Sequence, residues 1–397
     1  MAIVYQKKSI ILILCLFLFS FFGFQKADAE IIKDIDYGFS LDIPEGYALE
    51  EQSSDGNSLL FSHPNIPVTF VIKISNEKSA ETSQVLQTSL KKLSAEYDTD
   101  KIIWSEQNCA ISSFKMNLDQ DYEGWAVSVP LKFPYSFLTL LCYAPEYLNG
   151  GAQQFIISTL NSLSLDYVES NNFSGIFTEY AFPKEGKKQI SLEIAGQNIN
   201  TSIDSADLSA SQFIVDLEFA VLSLYSNHKL WKEAWQRYYR MIYKDCTPRI
   251  KQVSKDIFNK LYPVAEKKDS KNADIVFAQY LLSWVQTFEY KREQTKNSSD
   301  FTPIPHVLCG EGNDCDSRSM LVSAILNLCG YDTIMLVSRE YSHAVAATCI
   351  EAPGQKYHLK ENNKDYIFGE TTEKITWGMI VQNHSDRTKW IPIIFGN

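Results

Sequence analysis

The chain has 397 residues, of which 45% are hydrophobic and 13% aromatic. This content is ample for packed cores, and the length corresponds to two or three domains. The formal net charge is −11. Because an acidic chain without basic runs repels phosphate backbones, we expect no nucleic-acid partner.

The first 29 residues have the composition of a bacterial signal peptide. Lys7 and Lys8 precede an apolar run over residues 10–24, and Ala27-Asp-Ala29 offers small residues before a cleavage site. The run is shorter than the roughly 20 residues that a membrane-spanning helix needs. We therefore predict a periplasmic or secreted protein, cleaved near Ala29, that meets the membrane only through this segment. A retained N-terminal anchor is the alternative.

Export would place the cysteines in an oxidising compartment. Eight cysteines minus Cys15 of the leader leave seven, and an odd number implies one unpaired thiol. We expect Cys315 to be free, and we predict a disulfide between Cys109 and Cys142. The six cysteines that could pair are Cys109, Cys142, Cys246, Cys309, Cys329 and Cys349.

Residues 30–166 predict one mixed domain. Leucines at helical spacing from Leu86 predict an amphipathic helix that reaches Tyr97, and a second helix is predicted over Ala152–Leu163. Runs rich in β-branched and aromatic residues predict strands at Phe39–Gly46, Val68–Ile74, Trp125–Val129 and Phe137–Cys142.

Two motifs of this region resemble the PsbP/Mog1-like α/β sandwich. They are Phe39-Ser-Leu-Asp-Ile-Pro-Glu-Gly46 and Ile157-Ser-Thr-Leu-Asn-Ser-Leu163. Because that family mostly binds or assists other proteins, the resemblance implies a recognition domain rather than a second active site. A purely structural role is the alternative.

Turn-rich residues 167–186 predict a linker to a second domain over residues 187–397. Within residues 187–300 we predict a strand at Lys188–Ile199, followed by helices up to Tyr290. The aromatic-rich segment Trp231–Tyr243 is predicted to be core rather than a ligand platform. A polar, proline-containing loop is predicted at Ser298–Pro305, before the catalytic helix and sheet of residues 301–397.

A reactive cysteine is predicted at the start of a helix. Gly310 and Gly312 precede Cys315, apolar residues then recur at three- and four-residue steps, and Gly330 ends the pattern. A thiol at a helix N-terminus lies at the positive end of the helix dipole, which lowers its pKa. Cys315 is therefore the predicted nucleophile.

Such a nucleophile needs a base and a group that orients the base. The strand-like runs Thr333–Ser338 and His343–Ile350 place His343 at the start of a strand, and the run Asp365–Thr372 places Glu370 at a strand end. These positions predict a Cys–His–acid arrangement, in which Asp365 is the alternative acid.

The same segments resemble the transglutaminase-like superfamily, whose core is papain-like. The resemblance implies Cys315 as nucleophile, His343 as general base and acid, Glu370 as the residue that orients the imidazole, and Gln286 as a weaker candidate for oxyanion stabilisation. It also implies an α+β fold, with a helical lobe and an antiparallel sheet behind the small α/β sandwich. The matching stretches are Trp284–Tyr290, Asn313-Asp-Cys-Asp316, Leu328-Cys-Gly-Tyr-Asp332, Ser342-His-Ala344 and Tyr366–Thr372.

Two departures from the family pattern concern the shape of the cleft. Asn313 stands where the family has glycine, and Ile304–Leu308 replaces a Pro-x-Glu-Thr-Leu stretch.

A zinc site is the competing interpretation of these residues. His306, Cys309, Cys315 and His343 are zinc-type ligands, but the Cys-x5-Cys spacing is unusual and no His-Glu-x-x-His occurs. We therefore expect neither metal nor cofactor. The remaining histidines, predicted to be ordinary surface or core residues, are His63, His228, His358 and His384.

Together these features predict acyl transfer on protein or peptide amides of the cell envelope. We expect hydrolysis rather than transamidation, because water is always present. A non-catalytic binding protein built on the same fold is the alternative, and the oligomeric state stays open.

Overall fold

The computed structural model describes residues 31–78, 80–148, 151–167, 173–291 and 298–395. The predicted signal peptide, residues 1–29, lies outside these ranges, as does Cys15. Within them, no helix combines the length and the apolar character that crossing a membrane requires.

The chain folds as a mixed α+β protein with several antiparallel sheets. In the N-terminal part, seven strands form a sheet of order β3-β4-β5-β9-β8-β7-β6, and a smaller sheet has the order β1-β2-β10. The strands are β1 (Ile31–Asp34), β2 (Phe39–Asp42), β3 (Ala48–Gln52), β4 (Ser58–Ser62), β5 (Thr69–Asn76), β6 (Glu96–Trp104), β7 (Gln107–Asn117), β8 (Asp121–Pro130), β9 (Ser136–Pro145) and β10 (Leu163–Leu165).

Helices cover both faces of the large sheet. Leu86 and Leu90 of α1 (Thr82–Lys92) pack into one apolar cluster with Phe114 of the sheet. On the other face, α2 (Gln153–Asn161) buries Phe155 against a larger core. The four predicted strands and two predicted helices of this region are confirmed in type, although the strand predicted at Phe39–Gly46 ends at Asp42.

Two boundaries differ from the sequence prediction. Helix α1 stops at Lys92 because Ser94 adopts a left-handed φ of 54°, and Tyr97 lies in β6. The predicted linker over residues 167–186 contains a short helix, α3 (Ile176–Ala181), whose first turn buries Phe177.

The predicted single strand at Lys188–Ile199 is wrong. The chain forms a hairpin of β11 (Lys187–Ile194) and β12 (Gln197–Asp204). Ala195 and Gly196 have φ values of 50° and 71°, the pair of positive angles that a tight two-residue hairpin turn requires. The alternation of apolar and polar residues continues across this turn, so the sequence pattern does not reveal that the chain reverses direction.

A helical layer follows. Its helices are α4 (Ala206–Ser223), α5 (Trp231–Lys268), α6 (Ala273–Val285), α7 (Ile304–Leu308) and α8 (Cys315–Leu328). Tyr238 and Tyr239 are buried in this layer, which confirms the aromatic segment as core. The predicted loop at Ser298–Pro305 ends earlier, because α7 begins at Ile304 with Pro303 as its N-cap residue.

The C-terminal sheet packs against α8. Its order is β15-β16-β14-β13-β17, formed by β13 (Thr333–Ser338), β14 (His343–Thr348), β15 (Lys356–Leu359), β16 (Lys364–Gly369) and β17 (Ile391–Ile393). Ala344 and Ala346 of β14 face the core shared with α8, while Val345 and Ala347 face a second cluster around Trp390. The predicted start of α8 at Cys315 and the predicted start of β14 at His343 are confirmed.

A buried arginine joins the two parts of the chain. The Arg237 guanidinium, on α5, is 1% exposed. Its Nε donates to the Asp42 carbonyl at 2.7 Å, its Nη1 to Glu218 at 2.7 Å and its Nη2 to Ser158 Oγ at 2.9 Å. One side chain therefore connects β2, α2, α4 and α5.

Replacing Arg237 should destabilise the protein strongly. Arg237→Ala would leave the buried Glu218 carboxylate without its ion-pair partner, and losing one member of a buried pair costs about 3–5 kcal/mol. Urea unfolding followed by circular dichroism measures this loss. Lys101→Ala, which breaks the exposed pair with Glu81, is the control and should leave the midpoint unchanged. Equal midpoints for the two variants would contradict the assignment.

The predicted Cys109–Cys142 disulfide is wrong in this structure. The two residues lie on β7 and β9, with β8 between them in the sheet. Two strand spacings amount to about 9–10 Å, beyond the roughly 7 Å between Cα atoms that a disulfide spans. Both residues are free, as are the other cysteines in the described ranges. Burial raises the pKa of each of these two thiols to about 12.

The thiols of Cys109 and Cys142 should both accept an alkylating reagent once the protein is unfolded without reductant. Peptide mass spectrometry would then find each as a carbamidomethyl derivative. A cross-linked peptide pair containing both would contradict the sheet order.

Candidate functional site

The N-terminus of α8 is held by a side-chain cap. Asp314 is the N-cap residue, and its Oδ1 accepts hydrogen bonds from Ser317 N at 3.0 Å and Ser317 Oγ at 2.8 Å. This cap places Cys315 in the first turn of the helix, with the residue only 4% exposed. The neighbouring Asn313 fixes a side chain of the same helix, because its Oδ1 accepts a hydrogen bond from Arg318 Nε at 2.5 Å.

The expectation that Cys315 has a lowered pKa is wrong for this state. Burial raises the pKa of the thiol well above its usual range, and the charges of Asp316 and Asp314 raise it further. A hydrogen bond from the Ala344 backbone acts in the opposite direction but is a smaller contribution. Desolvation and two nearby carboxylates therefore outweigh the helix N-terminus.

The thiol contacts Asp316 rather than the histidine. Cys315 Sγ donates to Asp316 Oδ1 at 3.1 Å, and Tyr239 Oη donates to Asp316 Oδ2. Although Ala344 is the neighbour of His343 in sequence and donates to the sulfur through its backbone, no hydrogen bond joins Cys315 to the His343 ring. Cys315, the first residue of α8, thus lies beside the start of β14, and its thiol donates to Asp316 of its own helix.

The predicted base and acid are paired. His343 Nε2 lies 2.8 Å from Glu370 Oε2, and the Glu370 side chain is 1% exposed. The second carboxylate oxygen, Oε1, accepts from Thr372 N at 2.9 Å and Thr372 Oγ1 at 2.7 Å. Burial alone would raise the pKa of Glu370, but His343 and Thr372 bring it below its usual value.

Asp365, the alternative acid, belongs to a different pair. It lies 2.8 Å from His358 Nδ1, and both side chains are about half exposed. The structure therefore brings Glu370, and not Asp365, to His343.

Gln286 makes a contact that the resemblance does not imply. Its Nε2 donates to the backbone carbonyls of Glu370 at 2.8 Å and Ile375 at 2.9 Å. Both amide hydrogens are thereby engaged. In this arrangement Gln286 holds the segment that carries Glu370, and its role at an oxyanion stays a prediction.

Arg318 is a site residue that sequence reasoning missed. It lies one turn after Cys315, is buried, and donates from Nη2 to the Phe288 carbonyl at 2.8 Å and from Nη1 to the Thr371 carbonyl at 3.4 Å. It therefore ties α8 to the chain after α6 and to the chain after Glu370. An arginine among the first residues of a buried helix was the available sequence signal.

His384 is a second residue that was missed. It lies in a 3-10 helix, Gln382–His384, and its ring centroid is 5.2 Å from that of His343. Burial and the neighbouring His343 charge lower the pKa of His384. No local pattern indicates this position, since His384 lies 41 positions after His343 in the sequence.

The zinc-type group considered from the sequence is not assembled. His306 Nε2 contacts the Leu208 carbonyl at 3.0 Å, and its Nδ1 lies 2.9 Å from Glu311. Both ring nitrogens of His306 are therefore engaged with partners other than Cys309, Cys315 or His343.

Comparison with known proteins gives matches among solved structures only. No family model and no curated protein matches the chain. Solved structures similar to its N-terminal region include cyanobacterial PsbP from Synechocystis sp. PCC 6803, with 13% identity, a TM-score of 0.29, and coverage of 37% of this chain and 98% of that one. The Ran-binding protein Mog1p of Saccharomyces cerevisiae has 7% identity, a TM-score of 0.27, and coverage of 34% of this chain and 94% of that one.

A third similar structure is LpqN of Mycobacterium tuberculosis, described as involved in cell envelope biogenesis. It has 15% identity, a TM-score of 0.25, and coverage of 32% of this chain and 80% of that one. At these scores the likenesses carry no argument about function. The resemblance of residues 187–397 to a papain-like core stays a prediction.

Removing the charge of Asp316 should make Cys315 more reactive. Asp316→Asn keeps an acceptor for Tyr239 Oη but takes away the carboxylate that holds the thiol protonated. Iodoacetamide should then label Cys315 at lower pH, several-fold faster than in the wild type at pH 8, because only the thiolate reacts. Asp365→Asn is the matched control. Unchanged labelling in Asp316→Asn would show that Asp316 does not control the thiol.

Proposed function

We propose that the protein is an exported cysteine enzyme of the transglutaminase-like kind, acting on amide bonds of peptides or proteins in the cell envelope. Residues 187–397 would form its papain-like catalytic part. The N-terminal PsbP/Mog1-like region would serve recognition. The leader-like composition of residues 1–29 supports export.

The observation that carries the proposal is the pair of the partly exposed His343 and the buried Glu370 beside the N-terminus of α8. A carboxylate on one imidazole nitrogen leaves the other nitrogen to exchange a proton. Here Nε2 faces Glu370, so Nδ1 is the nitrogen available to a thiol. Three features, the Thr372 hydrogen bonds, the Gln286 contact and the Asp314 cap, hold these groups in place.

In the proposed reaction, Cys315 gives its proton to His343 and the resulting thiolate attacks the amide carbonyl. His343 then protonates the departing amine as the C–N bond breaks, leaving a thioester on Cys315. Water, deprotonated by His343, hydrolyses the thioester and restores the thiol. Backbone N–H groups at the start of α8 would stabilise the oxyanion.

The thiol must change partners before it can react. In the structure it donates to Asp316, and the raised pKa of Cys315 keeps it protonated. Turning the Cys315 side chain from Asp316 to His343 Nδ1 would exchange an acceptor that holds the proton for a base that removes it. The buried thiol therefore represents a resting arrangement of the proposed enzyme.

Hydrolysis is proposed over transamidation because water is always present. If a fluorescent primary amine were incorporated into an acceptor protein without hydrolysis, transamidation would be the reaction of the enzyme.

A second candidate is a non-catalytic binding protein on the same fold. One observation favours it: Cys315 is 4% exposed and hydrogen-bonded to a carboxylate rather than to the histidine. A protein of this class has no need for a reactive thiol, so the labelling of Cys315 separates the two candidates.

Variants of the three proposed catalytic residues should differ in a defined order. Cys315→Ala and His343→Ala should abolish turnover of a peptide amide library read by mass spectrometry. Glu370→Gln should retain roughly 50- to 100-fold more activity than Cys315→Ala, because an orienting group contributes less than the nucleophile.

The matched control for Glu370→Gln is Asp365→Asn, which removes the exposed carboxylate next to His358 and should leave turnover unchanged. Turnover that persists in Cys315→Ala would contradict the proposal that Cys315 is the nucleophile. If Glu370→Gln kept full turnover and Asp365→Asn lost it, Asp365 rather than Glu370 would be the carboxylate that orients His343.

A further inference from the structure

We propose that His343, Glu370 and His384 form a binding site for a zinc ion. One ligand atom from each residue can be chosen such that all three atoms lie within 4.8 Å of one another. The site goes beyond the proposed function, since it includes a histidine that the acyl-transfer chemistry does not use. Its effect on activity, described below, rests on that function.

The three side chains come from separate segments of the C-terminal part. His343 begins β14, Glu370 follows β16, and His384 ends the 3-10 helix that leads toward β17. Each residue has a backbone anchor independent of the others. Trp390 Nε1, for example, donates to the His384 carbonyl at 2.9 Å, and the Tyr341 ring lies 4.7 Å from the His384 ring.

The His384 ring has an unsatisfied nitrogen. Its Nδ1 is buried and has no hydrogen-bond partner among the described residues. Buried polar atoms without a partner are rare in folded proteins, so each one calls for an explanation. A bound cation would supply the missing partner.

Two imidazoles and one carboxylate are a ligand set that zinc uses in proteins, with a fourth position left to water. Metal–ligand distances of about 2.0–2.2 Å place tetrahedral ligands roughly 3.4 Å apart. The present spread of 4.8 Å would therefore contract by a little over 1 Å. His384 is the member that can move, because it lies on a partly exposed 3-10 helix.

Glu370 is suited to such a site. Oε1 is held by two hydrogen bonds from Thr372, while Oε2 faces His343 and would turn to the metal. Hydrogen bonds that fix a ligating carboxylate are typical of protein metal sites and strengthen them.

Metal binding and acyl transfer would exclude each other. If zinc takes the lone pair of His343 Nε2, the proton on that nitrogen moves to Nδ1, so the neutral ring still carries one proton. Nδ1 then has no lone pair for the Cys315 proton, and Glu370 is occupied by the metal. Zinc would thus hold the proposed enzyme in an inactive state.

Titration of the metal-free mature protein with Zn²⁺ alone, followed by isothermal calorimetry, tests the site. One zinc should bind per chain. His384→Ala and His384→Phe should each weaken binding by at least about tenfold, since each removes a ligand. The phenylalanine keeps a ring beside Tyr341, so a loss in both variants reports the nitrogen rather than packing.

His358→Ala and Cys315→Ala are the controls, and both should bind zinc as the wild type does. His358 also has a carboxylate partner, Asp365 at 2.8 Å, but lies on the exposed surface. No binding by the wild type, or equal binding by the wild type and both His384 variants, would overturn the proposal. Loss of binding in Cys315→Ala would also overturn it, because a different ligand set would then hold the metal.

Labelling of Cys315 separates this proposal from the proposed function. If the His384 variants lose zinc binding and Cys315 is unreactive in metal-free protein, the zinc site is supported and the proposed enzymatic function is contradicted. If Cys315 is reactive and the wild type binds no zinc, the proposed enzymatic function is supported and the zinc site is contradicted. If both proposals hold, zinc should slow Cys315 labelling in the wild type and not in His384→Phe.

Discussion

The structure depends on the burial of one positive charge. Arg237 lies almost fully inside the protein, where an unpaired guanidinium would be very unfavourable. Glu218 supplies the opposite charge, and the Asp42 carbonyl and Ser158 hydroxyl take further hydrogens. Since these partners come from β2, α2 and α4, the charge is stabilised only when the N-terminal sheets and the helical layer are docked together. The N-terminal core also takes in Val221, Tyr225 and Ala234 from the helical layer.

Helix α5 also carries a residue that contacts the site. Two turns of apolar and aromatic residues around Tyr239 pack in the helical core, and the Tyr239 hydroxyl reaches the Asp316 carboxylate. Asp316 in turn accepts the Cys315 thiol. A contact between the two parts of the chain is therefore only a few residues away from the candidate nucleophile.

The site combines opposing electrostatic demands. Burial and the Asp314 and Asp316 carboxylates favour a neutral thiol, and the same burial and the Asp316 charge raise the pKa of Asp314 to about 7. At the His343–Glu370 pair, hydrogen bonds favour an ionised Glu370. The carboxylates at the helix start disfavour ionisation of the thiol, while the Glu370 carboxylate is paired with His343. In the proposed enzyme, the partner of the thiol and the partner of the imidazole would distinguish the resting, reacting and zinc-bound states.

The sequence by itself determined the elements that carry the site. Apolar residues at helical spacing after Cys315, strand composition from His343 and an acid at the end of a third strand are local patterns, and secondary structure follows local patterns. Hence the start of α8, the start of β14 and the position of Glu370 were predictable. The hairpin at Ala195 and Gly196 was not, because alternation continues through its turn.

Only the tertiary structure decided the chemistry around those elements. The separation of Cys109 from Cys142 depends on strand order, which places β8 between them. The raised pKa of Cys315, the engagement of Gln286 with backbone carbonyls, the Arg318 contacts and the approach of His384 to His343 all depend on residues distant in sequence. Sequence periodicity shows which face of an element is buried, but burial energies and charge interactions depend on what that face meets, and that is set by packing.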